Sequence, residues 1–431
     1  MNAGGVLERD HTVPAPAESL GDGVPTFFVA LGVALLPLSR GRTSLNIAPA
    51  DVAFVLSIAS MFVWAATNRY RVRVPYALSV GIMIGAGLVA AVASPYMRAG
   101  LVAVGQDVYL LLWAAAIANV MRRPGAARII LRTWSYVALV SAALIVFGVA
   151  IGWDALAGIN PTVGSRAAFT FTDENSAGLY FAISLAIVLC TRTPSSRVRR
   201  GFAVLLLLGA LVVTGSLAGL LALSVITLTA ATVGTFRRRG GAAAVALVAI
   251  LAFGGLGLVA GVRSSHFFDR AGASSNRLIR DSLGREEKST GSREVLVSEI
   301  TGLYLDGPLI GRGPASTRAS LTKIAAPYPN EAHDDYLATI TERGIIGAVG
   351  LVLLIGAIKV RTTALHPRFL RDAFGEVVQR PVWLLGAIFS LAFVAFTHEI
   401  LHERTVWTLL GILGGVHAFG LRSRRVEGAV A

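Results

Sequence analysis

The chain has one cysteine, Cys190, in 431 residues, so no disulfide can form within it. Cys190 reads as inert packing near the end of an apolar helix. Charge is also scarce: 15% of the residues are Asp, Glu, Lys or Arg, against about a quarter in a soluble domain. Lysine is nearly missing, with three among 39 basic residues, so any phosphate recognition falls to arginine, whose planar fork suits phosphate oxygens. What is plentiful is apolar. The chain is 54% hydrophobic with a mean hydropathy of +0.67. That excludes intrinsic disorder and a disulfide-stapled scaffold. A formal charge of +14 would suggest nucleic acid in a soluble protein; in a chain of long apolar runs it concerns topology first.

A membrane-spanning helix needs about 20 mostly apolar residues. Twelve segments are candidates, the first of them short: Pro25–Ser39, Ala50–Thr67, Pro75–Ser94, Ala99–Val120, Thr133–Gly152, Asn175–Thr191, Gly201–Val213, Ser216–Thr235, Gly241–Val262, Gly344–Val360, Val382–His398 and Thr405–Leu421. The seventh and eighth are divided only by Thr214-Gly215. The expected fold is an all-α polytopic membrane protein of about twelve spans. Its basic loops alternate with neutral ones. Segments assigned to the cytoplasm hold 22 basic and 7 acidic residues, and everything else holds 17 and 18. The positive-inside rule then places both termini in the cytoplasm. The expected organisation is a cytoplasmic tail over residues 1–24, spans one to nine over 25–262, one large external loop over 263–343, spans ten to twelve over 344–421, and a short tail over 422–431. Met1–Gly23 is polar and reads as a tail, not a leader peptide.

The external loop holds 11 basic and 11 acidic residues. A loop of this length is uncommon without a role. Helical periodicity is expected over Ser292–Asp306 and Ala332–Arg343, with Gly307-Pro308 and Gly311-Arg312-Gly313-Pro314 as punctuation between them. Ser292 is a natural N-cap, which would put Arg293 in the first turn, against the helix dipole; a bound anion is one reason for such a placement, and a loop carboxylate is another. Pro327–Leu337 carries His333 beside Asp334 and Asp335, just before the chain re-enters the membrane. Histidine exchanges protons near neutral pH, and an adjacent carboxylate can orient its ring. Arg166 is the single basic residue of its own external loop, which leads into Asn175.

Taken in order, these segments resemble the bacterial O-antigen ligase and O-antigen polymerase (Wzy-type) superfamily. The resemblance rests on four features: the Arg166–Asn175 entry to a span, the Thr214-Gly215-Ser216 break, the Arg293 helix followed by Gly307-Pro308-Leu309-Ile310-Gly311-Arg312-Gly313, and His333-x-x-Tyr336-Leu337 running into Glu342-x-Gly344-Ile345-x-Gly347. It covers roughly residues 160–420. It implies a C-type membrane glycosyltransferase-like fold and transfer of a glycan from an undecaprenyl-pyrophosphate carrier to an acceptor hydroxyl at the external face of the cytoplasmic membrane. It further implies that neither a metal nor a nucleotide-sugar cofactor takes part, and that nucleic acid is not a partner. His333 and Arg293 are the implied catalytic pair: His333 takes the acceptor proton, with inversion at the anomeric centre, and Arg293 holds the pyrophosphate. Arg166, Arg312, Asp334, Asp335, Tyr336 and Ser216 are implied substrate contacts. The chain departs from the family pattern at Leu217, where many members carry Arg, and Arg312, Arg318 or Arg404 would then have to substitute.

Two further features point elsewhere. His398-Glu399-Ile400-Leu401-His402 has the spacing by which a helix presents two zinc ligands and a general base. A metalloprotease is therefore a competing reading; a milder one has His398, Glu399, His402, Glu403 and Arg404 lining the same external cavity as His333. Asp107, in the middle of span four, suits either proton coupling or a structural bond to a neighbouring span. A transporter or flippase of lipid-linked glycans is the remaining alternative, and it would call for a paired set of broken spans.

Overall fold

A computed structural model of the chain describes residues 20–40, 47–160, 164–251, 270, 272–275, 280, 286–370 and 373–430. The end of the expected ninth span and the start of the external loop lie outside these residues. Among the described residues every regular element is helical, apart from an isolated bridge between Ile159 and Ala167. The helices are α1 (Leu20–Ala34), α2 (Pro49–Thr67), α3 (Ala77–Ala93), α4 (Met97–Val120), α5 (Pro124–Ala150), α6 (Asp154–Ala157), α7 (Glu174–Thr191), α8 (Arg197–Thr214), α9 (Leu217–Arg239), α10 (Gly241–Leu251), α11 (Glu286–Leu305), α12 (Thr317–Lys323), α13 (Asp335–Thr362), α14 (Ala373–Val377), α15 (Pro381–Val394) and α16 (Arg404–Val430).

Six of them, α2, α4, α5, α7, α9 and α13 with its 3-10 extension, are long and apolar enough to cross a bilayer. Shorter apolar helices occur at 23–34 in α1 and at α3, α10 and α15. Their outer faces carry exposed Val52, Val55, Leu78, Val89, Phe147, Val352 and Phe393. In water such faces would be an aggregation hazard; in lipid they are the solvated surface. The expected break between spans seven and eight is real. Gly215 is left-handed (φ 57°), and Ser216 caps α9 by accepting the Gly219 N–H at 3.0 Å.

α7 is the buried axis of the bundle. It packs against α8, α9, α5 and α15, and Tyr180, Phe181, Ile183 and Ser184 are buried on different sides of it. Two buried indole N–H groups each find a hydroxyl, as burial favours. Trp134 donates to Ser184 at 2.8 Å, and Trp113 donates to Thr408 at 2.8 Å while stacking on Phe54 at 3.8 Å. Asp107 of α4 pairs with Arg343 of α13, which is the structural bond offered above as one of its two readings.

Outside this bundle sits a smaller unit with its own apolar centre. Leu296, Ile300 and Leu303 of α11 meet Leu321 of α12, Ala332 and Ala338. Two expectations change here. α11 begins at Glu286, so Ser292 is not its N-cap and Arg293 is its eighth residue, beyond reach of the dipole argument. The expected helix at 332–343 and the tenth span are one element, α13, interrupted at Gly344 (φ 64°, ψ −166°).

That interruption is where the glycine-rich turn docks. The N–H groups of Arg312 and Gly313 donate to Thr341 O and Glu342 O at 3.0 and 2.9 Å, and Ile345 N–H donates to Leu309 O at 3.1 Å. Gly311 (φ 92°) lies against Glu342 and Gly344, so close that a Cβ on it would overlap their backbone atoms. The two glycine motifs of the sequence are therefore the two sides of one backbone seam. The Glu342 carboxylate also fixes α12, accepting from Ala315 N at 2.8 Å and from Thr317 Oγ1 at 2.6 Å.

Candidate active site

The seam places the start of α13 over the bundle, and a cavity of about 420 Å³ opens beneath it. His333 lines this cavity together with His398, Glu399, His402, Glu403 and Arg404, the grouping expected as the milder reading of that motif. Asp107, Asp173, Arg318, Glu331, Glu342 and Arg343 complete its charged lining. His333 is held in the left-handed region (φ 52°), a conformation that costs a side-chain-bearing residue roughly 1–2 kcal/mol. Such strain persists where surroundings over-determine it. Here its backbone N–H donates to Glu399 Oε1 at 3.1 Å, and its ring lies parallel to that of His398, centroids 6.1 Å apart.

Burial and the neighbouring His398 ring hold the His333 pKa below its ordinary value, with Arg293 adding to the effect from α11. Burial pushes Glu399 up to about 8, helped by Glu342. Burial alone would favour a neutral His402, but the carboxylates of Glu403, Glu399 and Asp335 outweigh it and raise its pKa. The His333 ring thus faces a wall of carboxylates and a second imidazole, His402, whose proton affinities are set by burial and by one another's charge.

The carboxylates expected to orient His333 do other work. Asp334 caps α13, with Oδ1 accepting from Tyr336 N at 2.8 Å and Leu337 N at 2.9 Å. Asp335 is buried and accepts from Ile400 N at 2.9 Å and Leu401 N at 3.3 Å, clamping the 398–403 loop beneath α13. Among the described bonds, the carboxylate holding His333 is Glu399, by the backbone. Asp334→Ala is expected to cost about 1 kcal/mol of stability, as loss of an N-cap does, while Asp334→Asn keeps the cap. The thermal midpoints of the two variants in detergent check this.

The remaining candidates divide. Tyr336 donates to Ala392 O at 2.8 Å, packs at a tilt against Phe396 and lines a second, apolar cavity between α13 and α15. Arg312 Nε donates to Leu303 O at 2.8 Å, closing the end of α11. Ser216 is buried and donates to Asn175 Oδ1 at 3.1 Å. Arg166 pairs with Glu174 in a smaller pocket that shares Thr172 and Asp173 with the main one. Arg293 is half-buried on α11 and is not among the lining residues of the main cavity. Of the three substitutes for the Leu217 position, Arg318 and Arg404 line the cavity and Arg312 does not.

Pairings across the chain escape sequence reading. Arg404 grips Asp51 with two bonds of 2.7 Å, and Tyr109 donates to the same carboxylate at 2.8 Å. Two of the three cavity arginines, Arg343 and Arg404, are thus already committed to aspartates. The zinc-protease geometry is overturned: residues 395–403 form turns and loop, not a helix, so His398 and His402 do not share a helical face.

Residues 202–352 match the family model described as O-Antigen ligase. The match runs from α8 into α13 and includes Ser216, Arg293, Arg312 and His333 through Tyr336; Arg166 and the 398–404 loop lie outside it. No curated protein matches the chain.

Proposed function

Because the chain belongs to the O-antigen ligase/polymerase superfamily, we propose that it transfers a glycan from an undecaprenyl-pyrophosphate carrier to an acceptor hydroxyl at the external face of the cytoplasmic membrane. The observation that carries this reading is His333 itself, a strained imidazole whose pKa is held below its ordinary value, lining a charged cavity. His333 takes the proton of the acceptor hydroxyl as that oxygen attacks the anomeric carbon. The glycosyl–phosphate bond breaks on the opposite side, and the pyrophosphate leaves with the bonding pair. A pyrophosphate is already an activated leaving group, so positioning and charge compensation are most of the catalysis. Arg318 reaches the cavity from α12, and Arg293 adds positive potential from α11. The topology that fits this direction has twelve spans with both termini cytoplasmic.

The test is purified protein in detergent with lipid-pyrophosphate glycan and acceptor, following both glycan transfer and release of the lipid pyrophosphate. Products with neither extended nor transferred glycan would sink the reading. Extended lipid-linked chains mark a polymerase; a glycan moved to a different lipid marks a ligase.

The pH profile is a second check. A depressed His333 pKa keeps the ring unprotonated to lower pH, so the acid limb of kcat/KM is expected below pH 6.5. A limb above 6.5 would contradict His333 as the base.

A further inference from the structure

We propose that Asp173, His398 and Glu403 bind one divalent metal ion of the zinc or manganese class in the wall of the His333 cavity. The ligand atoms of the three side chains all lie within 4.8 Å of one another. Ligand bonds of about 2.0–2.2 Å around one ion bring such a trio together with small side-chain rotations. The three residues come from separate places, the loop before α7, the turn after α15 and the residue before α16, so no local motif announces them.

The second observation is His398. It is 7% exposed, and neither of its ring nitrogens has a hydrogen-bond partner. A buried polar group left unsatisfied is rare in a native protein. An ion on one ring nitrogen would satisfy it.

The surrounding bonds are those of an oriented ligand set. Asp173 Oδ1 accepts from Asn175 N at 2.7 Å and Ser176 N at 2.8 Å, which leaves Oδ2 outside the cap. Ser176 Oγ lies 2.5 Å from Glu403 Oε1 and 3.3 Å from Asp173 Oδ2. Ligand carboxylates are characteristically steadied by such outer hydrogen bonds. Arg404, next to Glu403 in the chain, is bound twice to Asp51, and none of the ion pairs described above joins an arginine to Asp173 or Glu403. One imidazole and two carboxylates suit a borderline divalent ion better than calcium or magnesium.

This departs from the metal independence that the family resemblance implies. It does not rest on the transfer reaction, and its readout needs no glycan. Untagged full-length protein is stripped with chelator, exposed to zinc or manganese chloride alone, desalted and measured for metal content, with affinity read by competition against a chromophoric chelator. Wild type is expected to hold one equivalent. Asp173→Asn, which still caps α7, and Glu403→Gln, which still accepts from Ser176, should each weaken binding at least 10-fold; His398→Ala should abolish it. His402→Asn, which would cripple a His-x-x-x-His site, should leave it unchanged. No retained metal, or retention undiminished in His398→Ala and Asp173→Asn, overturns the proposal; so does loss on His402→Asn alone, or retention of magnesium in place of both probes. Failure of metal binding with transfer intact would reject the site and leave the function standing.

Discussion

His333→Asn is expected to lower glycan transfer by roughly 10²- to 10⁴-fold, the usual contribution of a positioned general base, while the protein stays folded. The choice of asparagine matters. Position 333 is left-handed, and asparagine tolerates that conformation better than other side-chain-bearing residues. Its amide also preserves a polar surface toward the cavity. His333→Ala would mix two effects, removing the base and adding strain at a position whose N–H holds Glu399. Glycan transfer and thermal midpoint are measured together. Full transfer by a folded His333→Asn protein would remove the imidazole from the mechanism.

Gly344→Ala is expected to destabilise the packing of the α11–α12 unit on α13 strongly for a single added methyl. At φ 64° and ψ −166° only glycine is comfortable. The added Cβ would overlap Leu309 O and the carbonyl carbon of Ile310. Backbone strain of this kind costs roughly 1–3 kcal/mol by itself, and relieving the overlap means lifting the turn from α13. That breaks the bonds from Arg312, Gly313 and Ile345. It also loosens Glu342 and, through it, the α12 start that carries Arg318. A drop in thermal midpoint of at least roughly 2–4 °C and a parallel loss of transfer are expected. Gly356→Ala is the control: it lies in the same helix, a Cβ there meets nothing, and alanine is the better helix former. Equal behaviour of the two variants would show that the seam does not hold the α11–α12 unit.

The helices were legible because hydropathy and helical period act locally, and the bundle obeys them. The α8–α9 break was legible for the same reason, since Thr214-Gly215-Ser216 offers both a left-handed glycine and a hydroxyl cap. What escaped depends on distant partners. His-x-x-x-His at 398–402 reads as helical by spacing. In the fold, the Asp335 carboxylate takes the Ile400 and Leu401 N–H groups, which a helix would give to carbonyls four residues back. A group 65 residues away thus decides the local conformation. Arg404 lies 353 residues from Asp51 and Arg343 lies 236 from Asp107, so neither commitment shows in any window of sequence. The start of α11 escaped for the opposite reason: Glu286–Gly291 is polar and without apolar rhythm, so its helicity leaves no periodic mark.

The break in α13 also acts as a ruler. Between it and the cap at Asp334 stand the nine residues Asp335–Arg343, about 14 Å of helix. The seam pins one end, so this length sets the distance and facing of His333 relative to the seam. One inserted residue would lift it by about 1.5 Å and swing it by about 100°, out of line with His398 and Glu399. Residues between Gly313 and Pro327 lie off that measure. An insertion in that stretch is expected to leave the distance from His333 to Gly344 unchanged.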